Sequence, residues 1–449
     1  MLFKYTSFML FLVSYSQSAD ILAIIPTPSY SHQIAHTHFW KELSLRGHKV
    51  TLITTDPLND PTLTNLTEID MKWCYKFFSD ISDIAENTVS MWSIYDVFLE
   101  KLKKIADAQL SHFAFQDLIH NHKRRNFDVV FVEHIYQEYL IFAEIYKCPK
   151  ILISSMEVNA YIHHLMGNPA HPVLNPDFVT PFSGSLNFKE RVISTLFSIY
   201  VSYFYHYKFN SEKEKLLKKH FGTERTVAEI VSDVDMLFVN ANPVLQLPRA
   251  IGPTTINIGG RRPIISPKPL SQDLQQFLDS AENGFIYFSL GSNVKSKDLN
   301  EDSLKAIIKS LVEMPYKVLW KFEADTLPGK PDNVKLVKWT PQQNVLVIND
   351  PSYKNSIRKL KQLILDMPMT GLEKAVWWTE YIIRNKGTKH LRNPSADIPF
   401  YQYYLIDVIS FLIFVTILVS LAIVLLIRVF KSYLYKILNS KILQEKKLQ

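Results

Sequence analysis

Residues 20–55 read DILAIIPTPSYSHQIAHTHFWKELSLRGHKVTLITT. The apolar run from Asp20 to Pro26 has the length of a strand, and Pro26 to Ser31 is turn chemistry. From Gln33 to Arg46 apolar residues recur at helical spacing through Ile34, Phe39, Trp40 and Leu43, and Gly47 stands where a helix C-cap would. Lys49 to Thr55 is rich in β-branched residues and reads as a second strand. Strand, loop, helix and strand in that order make a βαβ unit of the doubly wound type.

The same pattern continues outward. Phe127 to Val132 and Lys150 to Ser154 are further strands, and Pro243 to Pro269 has little periodicity and reads as a linker. A second strand-loop-helix follows it: Phe285 to Leu290, the Gly291-Ser292 turn, and a helix beginning near Asp302. Strands Lys317 to Phe322 and Val334 to Trp339 come next. The fold expected is α/β, two facing Rossmann-like domains with a cleft between them. One spans residues 20–242, a linker spans 243–272, and the second spans 273–400. Arg191 to Phe209 is strongly aromatic but too interrupted to span a bilayer; a buried helix and a peripheral membrane contact both fit it.

Both ends carry membrane-system signals. Residues 1–19 read as a secretory leader, with Lys4, the apolar run Phe8 to Val13, and small residues at Ser16, Ser18 and Ala19. Residues 405–427 read as a transmembrane helix, since Val408 to Ile427 holds no charge and Tyr401, Tyr403 and Tyr404 precede it. Residues 428–449 follow as a tail with Arg428, Lys431, Lys436, Lys441, Lys446 and Lys447 against the single Glu445. That bias places the tail in the cytosol and the rest in the lumen, a single-pass type I arrangement. It also accounts for most of the chain's formal charge of +7, so the basic balance gives no reason to expect nucleic acid. Lys446 and Lys447 stand four and three from the end, as in a dilysine retrieval signal of the endoplasmic reticulum. Cys74 and Cys148, the only cysteines, match no zinc spacing and could pair or stay as thiols.

Several residues could carry chemistry. His32 lies just after the first strand, outside the carboxyl ends of the strands, where open α/β sheets bind ligands. An imidazole there could take a proton from a hydroxyl, with Glu133 at another strand end to orient it. A surface histidine is the plainer reading of His32. His36, four residues on, would complete a metal pair only with a partner of matching spacing, and none is found, so no metal is expected. In the second half Ser289-Leu290-Gly291-Ser292 could let backbone N–H groups and a hydroxyl approach a phosphate, or be only a turn. Trp339, followed by Thr340-Pro341-Gln342, could stack on and hydrogen-bond a base, or be a core tryptophan.

Taken together, Ser31-His32-Gln33, Ile256-Asn257-Ile258-Gly259-Gly260, Phe288-Ser289-Leu290-Gly291-Ser292 and Trp339-Thr340-Pro341-Gln342 resemble UDP-glycosyltransferases of the insect type. So do Met367-Pro368-Met369-Thr370 and Ala375-Val376-Trp377-Trp378-Thr379-Glu380-Tyr381. The resemblance implies a GT-B fold, with the acceptor in the N-terminal half and the UDP-sugar in the C-terminal half. It implies an inverting transfer to a small lipophilic hydroxyl compound, with UDP-sugar as co-substrate and no other cofactor. Glucose is the sugar implied ahead of glucuronate. His32 would be the base, Glu133 its orienting carboxylate, Gly291 and Ser292 the diphosphate turn, Trp339 the uracil platform and Gln342 a nucleoside contact. The chain departs from the family after Ile348. There it runs straight into Asn349-Asp350-Pro351-Ser352-Tyr353-Lys354, which resembles a region well downstream, so roughly 70–80 residues, about three βα units, are absent. The missing stretch includes the Thr-His-Gly-Gly turn and the Asp-Gln pair that hold the donor. The second domain is therefore expected to be truncated and the chain inactive. The alternatives are a non-catalytic partner of intact relatives, as homo- or hetero-oligomer, or a non-functional product of splicing or gene modelling. Asn65-Leu66-Thr67 is the one glycosylation sequon before the membrane segment.

Overall fold

A computed structural model of the chain describes residues 18–78, 89–246, 248–260, 270–282, 284–340 and 351–445. It divides into two units, Met1–Asn393 and Pro394–Gln449. The elements that matter in the first unit begin with β1 (Asp20–Ile25), α1 (Tyr30–Leu45), β2 (Lys49–Thr54), β3 (Leu66–Asp70) and α2 (Ile94–Leu110). Next come β4 (Val129–Glu133), β5 (Lys150–Ser154), α3 (Phe188–Tyr203), α4 (Asn210–Phe221), β6 (Met236–Val239) and β7 (Thr255–Asn257). Then follow α5 (Gln272–Asp279), β8 (Phe285–Phe288), α6 (Glu301–Val312), β9 (Lys317–Lys321), β10 (Val334–Val337) and α7 (Gly371–Asn385).

Seven strands form one parallel sheet in the order β3-β2-β1-β4-β5-β6-β7. Strand β1 is central, so both its faces are covered and its sequence is apolar without alternation. Leu22 and Ile24 face a core shared with Leu99 and Ile105 of α2, Phe197 and Val201 of α3 and Leu217 of α4. Ile21, Ala23 and Ile25 face the other core, shared with Phe39, Trp40 and Leu43 of α1 and Ala375, Val376 and Ile382 of α7. Helix α7 follows the second sheet in sequence yet packs on the first, and residues 371–393 belong with it. Thr388 confirms this by donating its backbone N–H and its hydroxyl to Asp235, just before β6.

The second sheet has three parallel strands among the described residues, in the order β10-β9-β8. Helix α6 covers one face, over Val318, Trp320 and Phe322, and α5 covers the other, over Leu319, Phe285 and Tyr287. The stretch read as a linker is not wholly unstructured: it carries β7, held to β6 through Leu237, Phe238 and Val239. At the amino end Ser18 and Ala19, assigned to the leader, already belong to the fold. Ser18 Oγ donates to Gly47 O, and Ala19 is buried. Met1 to Gln17 lie outside the described residues.

The second unit is dominated by α8 (Ile406–Glu445). Ile406–Ile437 is long and apolar enough to cross a membrane, with a mean hydropathy of 3.1 over its most apolar 18 residues. The helix runs past Ile427 through most of the expected tail, because the lysines there are spaced among Tyr433, Leu434, Ile437 and Leu438 and none breaks it. Lys446 and Lys447 lie outside the described residues.

Candidate active site

Proline 28 and Ser29 end the loop after β1 and start α1 at Tyr30, so His32 falls in the first turn of the helix. Its Nδ1 meets Glu133 Oε1 at 2.5 Å. The other oxygen, Oε2, accepts from Thr27 Oγ1 at 2.5 Å and from Thr27 N at 3.2 Å. Glu133 is the last residue of β4 and fully buried, so both of its oxygens must be satisfied within the protein, and both are. Burial alone would lift its pKa. The charge and hydrogen bond of His32, helped by the Thr27 hydroxyl, more than offset this and hold it below the ordinary carboxylate value. With Nδ1 tied to a carboxylate, Nε2 is the ring nitrogen left to accept a proton. Gln33 braces the loop by donating to Ile25 O and Thr27 O while accepting from Thr54 Oγ1.

His163 shows what a structural histidine looks like in the same fold. Its Nε2 meets Glu157 at 2.9 Å and its Nδ1 meets Asn168 Nδ2 at 3.0 Å, so neither nitrogen is left over. His134, beside Glu133, is different again: it is buried, its Nδ1 has no partner, and burial pushes its pKa down to about 4.

The carboxyl ends of the second sheet meet this site. Ser29 does not cap its own helix by accepting from its N–H groups; its hydroxyl donates to Asn293 Oδ1 at 2.9 Å. Tyr30 lies edge-on to Trp339 with ring centroids 5.6 Å apart. Trp339 is 60% exposed, so it is an open aromatic platform and not a core residue. Gly291 adopts φ +89° with open space beside its Cα, and Ser292 follows in the same turn. Lys321, unnoticed in the sequence because it ends a strand, donates to Gly291 O at 2.8 Å and to Glu323 at 2.7 Å. It lies 5.8 Å from the Trp339 ring. His32, Glu133, Gly291, Ser292 and Trp339 thus gather where the two sheets meet, while Gln342 lies outside the described residues.

Two other features fall elsewhere. Asn65 is half-buried ahead of the edge strand β3, and Thr67 of its sequon is exposed. A cleft of about 470 Å³ opens at the opposite, amino ends of β4 and β5, between Asp128, Lys147, Cys148, Asp235 and Lys389. Lys150 in it is already paired with Glu144 and Asp233, and nothing there resembles the chemistry at His32. Cys74 and Cys148 are both free thiols; burial raises them to about 11 and about 12.

The family described as UDP-glucoronosyl and UDP-glucosyl transferase matches residues 20–347 and, in a second piece, residues 345–446. The chain belongs to this family. As a UDP-glycosyltransferase it is built around sugar transfer from a UDP-sugar, on two parallel α/β sheets of the GT-B class. It is 29% identical to UDP-glucosyltransferase 2 of Dactylopius coccus, over 90% of this chain and 91% of that one. With UDP-glucuronosyltransferase 2B7 of Homo sapiens it shares 25% identity over 86% of this chain and 88% of the relative. The solved glycosyltransferase SnogD from Streptomyces nogalater superposes with a TM-score of 0.48 at 12% identity, covering 81% of this chain and 100% of that one.

Two features of these matches bear on the junction after Ile348, which itself lies outside the described residues. The two matched pieces of this UDP-glycosyltransferase meet at 345–347. The alignment with the Dactylopius coccus enzyme runs to 480 positions although it covers 90% of 449 residues, about 404, so about 76 positions, summed over the whole alignment, have no residue in this chain.

Proposed function

We propose that the site is built for inverting transfer of glucose from UDP-glucose to the hydroxyl of a small lipophilic acceptor, and that this chain as it stands transfers no sugar. One observation carries the reading. The relay Thr27–Glu133–His32 is complete, yet the sheet facing it has three strands among the described residues, and its family match breaks where the donor's remaining contacts belong. In the full reaction His32 Nε2 takes the acceptor's hydroxyl proton as its oxygen bonds to the anomeric carbon. The bond from that carbon to the diphosphate breaks, and UDP leaves with the electron pair. Glu133 steadies the resulting imidazolium. General-base help of this kind contributes about 10²–10⁴-fold. Holding the donor in line can contribute roughly 7–11 kcal/mol more. Ser292, Lys321 and Trp339 alone leave the departing diphosphate with little to counter its charge.

Glucose is preferred to glucuronate on the first relative above, itself a UDP-glucosyltransferase. The chain sits in the endoplasmic reticulum membrane with its first unit in the lumen, on the strength of the leader, the apolar helix and the lysine-rich tail. A role as non-catalytic partner of intact relatives follows from an acceptor half that is whole without a whole donor half. Microsomes carrying the chain, given UDP-glucose or UDP-glucuronic acid and a panel of phenols, are expected to form no glycoside. Turnover that disappears in His32→Ala would overturn the proposal. Transcript reads bridging Ile348 to Asn349 are expected; reads that always contain an extra segment would make the full-length enzyme the real object.

A further inference from the structure

The loop Pro26–Ser29 between β1 and α1 carries Thr27, and with it the hold on Glu133. Pro26 and Pro28 have no backbone N–H, so the loop's carbonyls are the handles by which the rest of the protein grips it. Thr27 O is taken from one side, by Gln33 of α1 and by Thr55. Pro26 O is taken from the other, by Gln109 of α2, which lies 83 residues away in sequence and donates at 2.9 Å. Gln109 is fully buried, and its amide is spent entirely inside the protein. Nε2 donates to Pro26 O and, at 3.3 Å, to Cys74 Sγ, while Oε1 accepts from the Tyr139 hydroxyl at 2.9 Å. Pro26 O can only accept, so the amide has one orientation.

The peptide unit joining Pro26 to Thr27 is planar, and none of the described peptide bonds is cis. Its C=O and N–H therefore point in opposite directions from one rigid plate. The oxygen reaches Gln109, and the N–H reaches Glu133 Oε2 at 3.2 Å. A tilt that releases one bond disturbs the other and carries the Thr27 hydroxyl with it. Gln33 and Thr55 hold the next plate, Thr27–Pro28, which has no N–H to offer Glu133. We propose, on the reading of His32 as the base, that Gln109 is its positioning residue: it fixes the Pro26–Thr27 peptide, which fixes Glu133, which fixes the ring. The hydrogen bonds of Gln109 reach neither His32 nor Glu133, so it acts through the loop.

The test treats the full chain in detergent with diethyl pyrocarbonate, which acylates the unprotonated imidazole nitrogen, between about pH 5 and 8. Labelling at His32 is read by peptide mass spectrometry against the exposed His206. Glu133→Gln removes the carboxylate that favours the protonated ring, and is expected to raise the His32 rate at about pH 6 several-fold. Gln109→Met keeps the length of the side chain but none of its hydrogen bonds, and is expected to raise that rate by about threefold. Tyr139→Phe, which leaves the amide free to turn, is expected to raise it less. A glutamine that only fills space and satisfies a carbonyl would leave the His32 profile where it is. His163, buried with both nitrogens committed, reports the fold by staying unlabelled. If Gln109→Met exposes His163, Tyr139→Phe decides. Profiles at His32 that stay in place or move the other way, while Glu133→Gln shifts as expected, overturn the proposal and leave the base standing. An unmoved profile in Glu133→Gln overturns the base itself, and the proposal with it.

Discussion

His134 sits one residue from Glu133 and is kept neutral by burial, with its pKa near 4. An unfolded imidazole titrates near 6.5. Between those values the unfolded chain holds the proton and the folded one does not. Stability is therefore whole above pH 6.5, falls as the pH drops, and has lost about 3 kcal/mol by pH 4. His134→Leu is expected to flatten that fall, read as urea midpoints across the range in detergent. Wild type and variant with parallel profiles would show that the ring is already charged in the fold. Glu133, with its depressed pKa, starts to lose its own contribution only at the ordinary carboxylate value, so the fall between pH 6.5 and pH 5 is free of it. Its pairing also separates His32 from His163: His32 has one nitrogen committed and one to spare, as the base proposed for it needs, whereas both nitrogens of His163 are committed.

At the scale of elements the sharpest demand falls on Gly371. A Cβ there would come within 1.9 Å of Ile258 O, which follows β7, so the first turn of α7 packs on that strand backbone to backbone. Gly371→Ala is expected to cost about 3 kcal/mol by pushing the helix off the sheet. Thr370→Ala, which removes a capping box with Glu373, is expected to cost about 1 kcal/mol. Limited proteolysis at 366–393 and urea midpoints read both; equal effects would mean that α7 is loosely held. How much was legible in the sequence divides along this line. Strands β1, β4 and β5 were plain because burial on both faces makes them largely apolar, β2 was plain from its β-branched residues, and Glu133 was found by its place at a strand end. The short β7 was missed because three residues among prolines and glycines show no period. The partners Thr27, Asn293 and Lys321 were missed because each acts across more than 25 residues of chain, where no local spacing points to them.

For the whole molecule, the proposed lumenal placement makes a direct prediction at Asn65. Its Nδ2 reaches Ser44 O only at 3.4 Å, and Thr67 is exposed, so the amide can be given up to a glycan. Treatment with a glycosidase that removes N-linked sugars is expected to shift the band, and Asn65→Gln to run at the shifted position. A band unchanged by either would place the first unit outside the lumen or leave the site unused. The packing of α7 on β1 has a consequence in time. Ala375 is synthesised some 350 residues after Ile25. At roughly 5–20 residues per second, the first strand made waits on the order of 20–70 s for the helix that covers it. Until then that face of the nascent sheet is covered by α1 alone, and the ground that Ala375, Val376 and Ile382 will occupy is open to chaperones. Translation that stops anywhere before residue 371 leaves that part of the face uncovered.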